Sequence, residues 1–270
     1  MLKILLRDIK KLYREIKVLL SPHPLFRVID KIKLSKIKKD TDEKGFIFLK
    51  PKGFRHNIKI RRNYVDREVI HYVLQDQYHL PPKSSKISRT PVILDLGSNI
   101  GLTIVHMKHI YPNAKIIGYE MNKENFLLAK RNTKFFDDVI VNNKAVWFEN
   151  KVVFYKINSC HDAYSVIDNK ELSENKQEKV EVQSTTIPNI IEEYNLNYVD
   201  YLKMDIEGAE EAILNSDDLS WLNIIHSMNI EMHLDDNEKI FDYIKIIESK
   251  GFKAWKDDKH WSSIFAVKLT

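Results

Sequence analysis

The chain has 270 residues, 43% hydrophobic and 10% aromatic, with 43 basic against 38 acidic side chains and a formal charge of +5. That is ample apolar material for a large core and too much for a disordered chain. The mild, interleaved charge permits an anionic partner but lacks the concentrated basic stripe of a nucleic-acid binder, and the lone Cys160 allows neither an internal disulfide nor a cysteine-based metal site.

Residues 2–20 repeat apolar side chains at helical spacing, from Leu2, Leu5 and Leu6 to Leu19 and Leu20, opposite a basic face, and Pro22 and Pro24 stop the pattern. Charges break every apolar stretch, so neither a signal peptide nor a membrane span is expected. Such a helix suits packing on its own domain or on a second copy in a homodimer. Contact with an anionic membrane surface is the sharper alternative. The expected location is cytoplasmic, with a peripheral membrane position as the variant.

FIFLK (46–50) and GFRHNIKIRR (53–62) read as two strands of a small hairpin. Alternation puts Arg55, Asn57, Lys59 and Arg61 on one face, the best candidate for an anionic patch; a charged, solvated edge strand is the plainer reading. Residues 66–80 read as a helix with Asp66 as a candidate cap. PPKSSKISRTP (81–91) has the composition of a linker. The expected division is an N-terminal extension over 1–82, a linker over 83–91 and a main domain over 92–270.

From residue 92 short apolar runs alternate with helical patterns: VILDL, LTIVHMKHIY, KIIGYE, KENFLLAKRNTKFF, then VIVNNKAVWF, KVVFYKI, YVDYLKMD, GAEEAILN, IIHSMNIEM, DNEKIFDYIKIIESK, FKAWK and SSIFAVKL. This predicts an α/β fold with a mainly parallel sheet covered on both faces. Residues 169–179 read as a polar surface insertion.

Asp95 ends the first strand of this region, and Gly97 and Gly101 bracket the turn into the next helix. A Cβ at either glycine would obstruct a ligand or force a strained turn. The pattern Asp-x-Gly-x-x-x-Gly is neither a dinucleotide fingerprint nor a P-loop, so the site does not demand a pyrophosphate. Glu120, one strand later, can accept from both hydroxyls of a ribose. Asp205, Glu207, Glu210 and Glu211 crowd one strand–helix junction, with Glu211 expected at the surface and Glu210 favoured in the first helical turn. Lys203 shares a strand face with Asp205 and can pair with an acid or hold an anionic acceptor. Glu231 and His233 end another strand on one side. If the two strands are neighbours, these groups meet at one mouth, where His233 is the candidate base because an ordinary imidazole titrates near neutrality. The acids and histidine also admit a divalent ion, but their loose spacing predicts no metal residue. HDAYS (161–165) is a candidate frame for the acceptor pocket. Cys160 lacks partners for nucleophilic chemistry, and the four tryptophans read mainly as core or surface, one of them a candidate cap on the acceptor.

DLGSNIG, GYE, NNKAVW, YLKMDIEGAE and NIEMH occur in the order seen in FkbM-type methyltransferases, and the chain resembles that family over about residues 92–268. The resemblance implies the class I (Rossmann-like) methyltransferase fold: a seven-stranded, mostly parallel sheet with a reversed last strand, supplied by SSIFAVKL. It implies S-adenosyl-L-methionine as cofactor and methyl transfer to a hydroxyl of a sugar, glycan or small natural product. Carried onto this chain, Asp95, Gly97, Ser98, Asn99 and Gly101 bind the methionine side, Glu120 the ribose, and Asn143 and Ala145 the adenine, with Asn142 as a substitute for Asn143. Ser98 stands where alanine is common. Asp205, His233, Glu231 and Glu207 are the catalytic candidates, and Lys203, His161 and Asp162 the acceptor-binding ones. The rivals are an RNA or protein methyltransferase of the same fold, a cofactor-binding module without turnover, and a basic RNA-binding protein.

Overall fold

A computed structural model describes residues 25–38, 43–156, 166–167 and 179–269. The chain divides into two compact units, Met1–Gln75 and Asp76–Thr270. The helix expected over 2–20, the HDAYS segment with His161 and Asp162, Cys160, and residues 169–178 lie outside the described residues. Among the described residues no helix is long and apolar enough to cross a membrane.

In the first unit, α1 (Val28–Ser35) precedes β1 (Glu43–Leu49) and β2 (Ile58–Arg62), which pair antiparallel as the expected hairpin. Leu49, Ile58 and Ile60 are buried on one face, while Phe46 and Phe48 are exposed. The second strand is shorter than its sequence signal, which leaves Arg55 and Asn57 outside it. Arg61 does not join a free basic face: its guanidinium sits 2.7 Å from buried Asp66. Asp66 is therefore not the helix cap. Asn63 caps α2 (Tyr64–Ile70) by accepting from the Asp66 N–H at 2.8 Å. The helix expected to reach residue 80 instead widens into a π-helical turn over His71–Asp76 and ends at Gln77, whose φ is +59°.

The second unit holds β3 (Val92–Leu96), α3 (Leu102–Ile110), β4 (Lys115–Tyr119), α4 (Lys123–Thr133) and β5 (Val139–Asn142). A small second sheet follows, built from β6 (Ala145–Val146), β7 (Val152–Lys156), β8 (Val166–Ile167) and β9 (Lys179–Thr185). The chain then runs through α5 (Ile187–Glu193), β10 (Tyr201–Met204), α6 (Glu210–Leu214), β11 (Ser227–Glu231), α7 (Ile240–Ser249), β12 (Phe252–Lys256) and β13 (Ser263–Lys268). The main sheet has the order β12-β13-β11-β10-β3-β4-β5, and only β13 runs against its neighbours. This is the class I methyltransferase arrangement. β9 was not expected: KVEVQST is too polar to signal a strand, and it forms by pairing with β7 and β6.

Strand alternation sends side chains into two separate cores. Ile93, Ile116 and Tyr201 join Ile104 and Met107 of α3 on one face. Leu94, Leu96, Ile117, Leu202 and Met204 join α5, α6, α7 and the small sheet on the other. Residues 83–91 have the composition of a linker but are pinned at their end: the Ser88 and Val92 N–H groups donate to the two oxygens of buried Asp200, each at 2.9 Å.

Candidate active site

β3 lies between β4 and β10, so its carboxyl end opens where the strand order reverses, the usual ligand crevice of such sheets. Gly97 and Gly101 have φ of +84° and +79°. A Cβ on Gly97 would stand 1.7 Å from the Asp205 carbonyl oxygen, and one on Gly101 would stand 2.9 Å from the Ala129 Cα. The turn is one that an L side chain would strain, as one of the two expectations had it, and close backbone packing adds a second demand for both glycines. Asn99 is left-handed as well, with φ +47°. The Gly97 and Ser98 N–H groups donate to the Tyr119 carbonyl, each at 2.9 Å, fixing the turn against β4.

Glu120 follows β4 and is 6% exposed. One of its oxygens accepts the Asn99 N–H and the other the Asn122 N–H, both at 2.8 Å. Burial raises its pKa to about 7, against the pull of these two donors. Each carboxylate oxygen retains acceptor capacity. Glu120, Gly97 and Asn99 line a cleft together with Ala145, Asp205 and Glu207. Tyr119, Met121, Asn125, Lys144, Val146 and Ile206 complete the wall.

Other expected cofactor residues stand behind the wall. Asp95 is fully buried, accepts from the Thr103 hydroxyl at 2.5 Å and lies 3.8 Å from the Lys203 ammonium. Burial raises its pKa, opposed by Lys203 and Thr103. The Ser98 hydroxyl donates to the Asp95 carbonyl, and Gly101 packs on α4. Asn143 does not face the cleft either: its amide donates to the carbonyls of Glu120 and Met121, each at 2.9 Å, and so holds the Glu120 loop. Asn142 bonds to the Tyr194 hydroxyl. Lys203 is buried, with its ammonium 2.7 Å from the Gly97 carbonyl oxygen and 3.1 Å from Asp205. It is a strut between two loops, buried against the Gly97 carbonyl and two carboxylates.

β10 and β11 are parallel neighbours, so Asp205, Glu207, Glu231 and His233 do meet at one mouth. His233 Nε2 lies 3.4 Å from Glu207, 3.9 Å from Asp205 and 4.0 Å from Glu231. Its Nδ1 is 3.2 Å from Glu210. Glu210 is 0% exposed and also accepts from the Ile206 and Gly208 N–H groups, at 2.7 and 2.9 Å. It thus ties the strained loop, in which Glu207 has φ +58°, to His233. Burial pushes the His233 pKa down, but the Glu210 hydrogen bond and charge, with Asp205 and Glu207, raise it to about 10. His233 is therefore a cation near neutrality and does not suit the expected role of base. Burial raises Asp205, but Lys203 and His233 together hold it below the ordinary carboxylate range. Burial and Asp205 raise both Glu207 and Glu231 to about 8. Asp205, Glu231 and His233 each turn one atom to within 4.8 Å of the others. A divalent ion can bridge that spacing, but His233 would have to give up the proton its neighbours hold on it.

Residues 95–254 match the methyltransferase FkbM domain. The chain belongs to the FkbM methyltransferase domain family. It is 25% identical over 235 residues to methyltransferase sdnD of Sordaria araneosa, covering 76% of this chain and 87% of that one. It is 28% identical over 190 residues to methyltransferase 1 of Beauveria bassiana, covering 63% and 75%. Among solved structures, Aeropyrum pernix fibrillarin with natively bound S-adenosyl-L-methionine superposes with a TM-score of 0.40 at 14% identity, over 75% of this chain and 74% of that one. The FkbM protein is an S-adenosylmethionine-dependent methyltransferase. Its lining suits that cofactor: Glu120 presents paired acceptors for a ribose, and Asp205, held ionised by Lys203 and His233, brings negative charge to the wall. Sequence reasoning placed Glu210 at the helix start but missed its bond to His233, 23 residues away, and Asn143 backs the Glu120 loop by its side chain.

Proposed function

We propose that this enzyme methylates a hydroxyl oxygen of a sugar or small natural product. The observation that carries this is the position of the acids. Asp205 and Glu207 line the cofactor cleft and also face His233 and, beyond it, Glu231, so one mouth joins the donor cleft to a group of proton acceptors. When bound, the donor supplies a methyl group whose carbon–sulfur bond breaks with the electron pair left on sulfur. An alcohol attacks well only as its proton leaves. In this reading Glu120 and Asn99 hold the adenosyl end, Asp205 attracts the cationic centre, and His233 with Lys203 keeps Asp205 ionised. A carboxylate takes the hydroxyl proton. Orientation of the two reactants supplies much of the rate.

The test is transfer of labelled methyl from S-adenosylmethionine into fractionated cell extract, with identification of the product. A methyl ether on a small molecule or glycan is expected. Label confined to RNA or protein would replace this reading with the corresponding rival.

A further inference from the structure

We propose that Trp261 is an acceptor-binding residue: its exposed indole receives the C–H face of a neutral sugar ring and so brings a hydroxyl of that ring to the mouth. The inference deepens, and rests on, the proposed methylation of oxygen. The tryptophans are not alike. Trp147 and Trp221 are buried, and Trp255 packs edge-on against Phe265, with 6.0 Å between centroids. Trp261 is 61% exposed, and among the described residues no hydrogen bond, ring or cation contact holds its indole. Folded chains bury most of the surface of an indole, so an open one beside a reaction site is a surface kept for a ligand.

The backbone of Trp261 is fixed at the mouth. It lies in the β12–β13 connection, between two residues that meet the strand end carrying Glu231 and His233. On one side, His260 Nε2 stands 3.6 Å from the Glu231 Oε1. On the other, the Ser262 carbonyl accepts the Met232 N–H at 2.8 Å, and Met232 separates Glu231 from His233. Ser263 is the β13 partner of Glu231. The turn itself is tied: the Ser263 N–H donates to the His260 carbonyl at 3.1 Å, and the Asp257 N–H to the Ser263 carbonyl at 2.8 Å. A second aromatic side chain arrives from another segment. Tyr78 is half-buried, its ring 4.7 Å from that of His260, and the Asn229 amide of β11 holds its carbonyl. The β13 side of the mouth is therefore an aromatic rim.

Rim and acids together select a chemistry. A sugar ring has a face of C–H groups and an edge of hydroxyls. An indole matches the face by covering apolar area. Carboxyl groups match the edge, because their oxygens hydrogen-bond to hydroxyls, and Asp205, Glu207 and Glu231 all stand around His233. A planar aromatic acceptor would cover the indole equally well but would leave most of these carboxyl groups without a hydroxyl. An anionic acceptor would lack a counter-charge: Lys203 already faces Asp205 at 3.1 Å, and His233 faces Glu210 at 3.2 Å.

The test is fluorine NMR of the full chain, labelled with fluorotryptophan and saturated with S-adenosylhomocysteine. The probes are the methyl glycosides of glucose, galactose and mannose, with methyl glucuronide as the charged analogue and catechol as the planar one. A neutral glycoside should shift the Trp261 signal and leave those of buried Trp147 and Trp221 in place. Trp261→Ala should weaken that glycoside about tenfold, the worth of an aromatic contact, with S-adenosylhomocysteine affinity unchanged, and Trp261→Phe should recover part of the loss. A Trp261 signal unmoved by every neutral glycoside, an unchanged affinity in Trp261→Ala, or tighter binding of the glucuronide or catechol overturns the proposal. With the labelled product of the extract experiment as acceptor, Trp261→Ala should raise KM about tenfold and leave kcat nearly unchanged. A methyl ether formed with KM unmoved removes Trp261 from the acceptor site and leaves methylation of oxygen standing. Label confined to RNA or protein takes both down.

Discussion

Replacing Gly97 by alanine separates two costs that are usually confounded. The residue sits at φ +84°, where an L side chain costs about 1–2 kcal/mol. Its new Cβ would also stand 1.7 Å from the Asp205 carbonyl oxygen and 2.8 Å from the carbonyl carbon. No rotamer relieves a clash with backbone, so the two loops must part, and forced overpacking of this kind adds about 1–3 kcal/mol. The total is about 2–5 kcal/mol. Gly208 is the control: its φ is +102°, yet an added Cβ meets nothing within 4 Å, so Gly208→Ala carries the conformational cost alone, about 1–2 kcal/mol. All four tryptophans, Trp147, Trp221, Trp255 and Trp261, fall in the Asp76–Thr270 unit, so urea unfolding followed by tryptophan fluorescence reports on the right unit. Gly97→Ala should also weaken S-adenosylhomocysteine binding, because Gly97 and Asp205 both line the cleft. Equal destabilisation by the two substitutions would refute the reasoning: it would mean that the left-handed backbone, and not the contact between loops, sets the requirement for glycine.

Glu210→Gln removes the charge that most directly sustains the His233 cation, so the His233 pKa should fall from about 10 towards neutrality, as read by NMR; an unchanged value would contradict the assigned cause. Lys203→Met strands Asp95 and Asp205 and removes the bond to the Gly97 carbonyl. Loss of one partner from a buried pair should destabilise by about 3–5 kcal/mol in a urea titration, and a neutral result would discard the strut. His79 and His106 are buried 3.1 Å apart, and burial lowers both, His106 to about 4. The unfolded chain then binds more protons than the folded one below pH 6.5. Stability is full above that value and declines as pH falls towards 4, by about 3 kcal/mol for His106. Urea midpoints should slope accordingly and flatten in His106→Gln; a flat wild-type profile would contradict the burial argument.

The strand–helix alternation after residue 92 is strong because both sheet faces are buried and each element needs its own apolar pattern. The reversed β13 was legible only through the family resemblance, and the meeting of Asp205 with His233 required β10 and β11 to be neighbours, as they are. Glu120 could be placed because it lies one residue past a clear strand. β9 could not, because its polar alternation gains its partners only from the fold. The titration of His233 was hidden for a related reason: it depends on Glu210, which local sequence presents as an ordinary helix-start acid. His260 sits in a loop without periodicity, and nothing in KHWSS announces a neighbour 29 positions earlier, at Glu231.

The most direct measurement is a crystal structure of the full chain with S-adenosylhomocysteine. The account predicts ribose hydroxyls on Glu120, the adenine beside Ala145, and the sulfur at the end of the cleft facing Asp205 and Glu207. A ligand seated elsewhere, with Glu120 still bonded only to the Asn99 and Asn122 N–H groups, would contradict it.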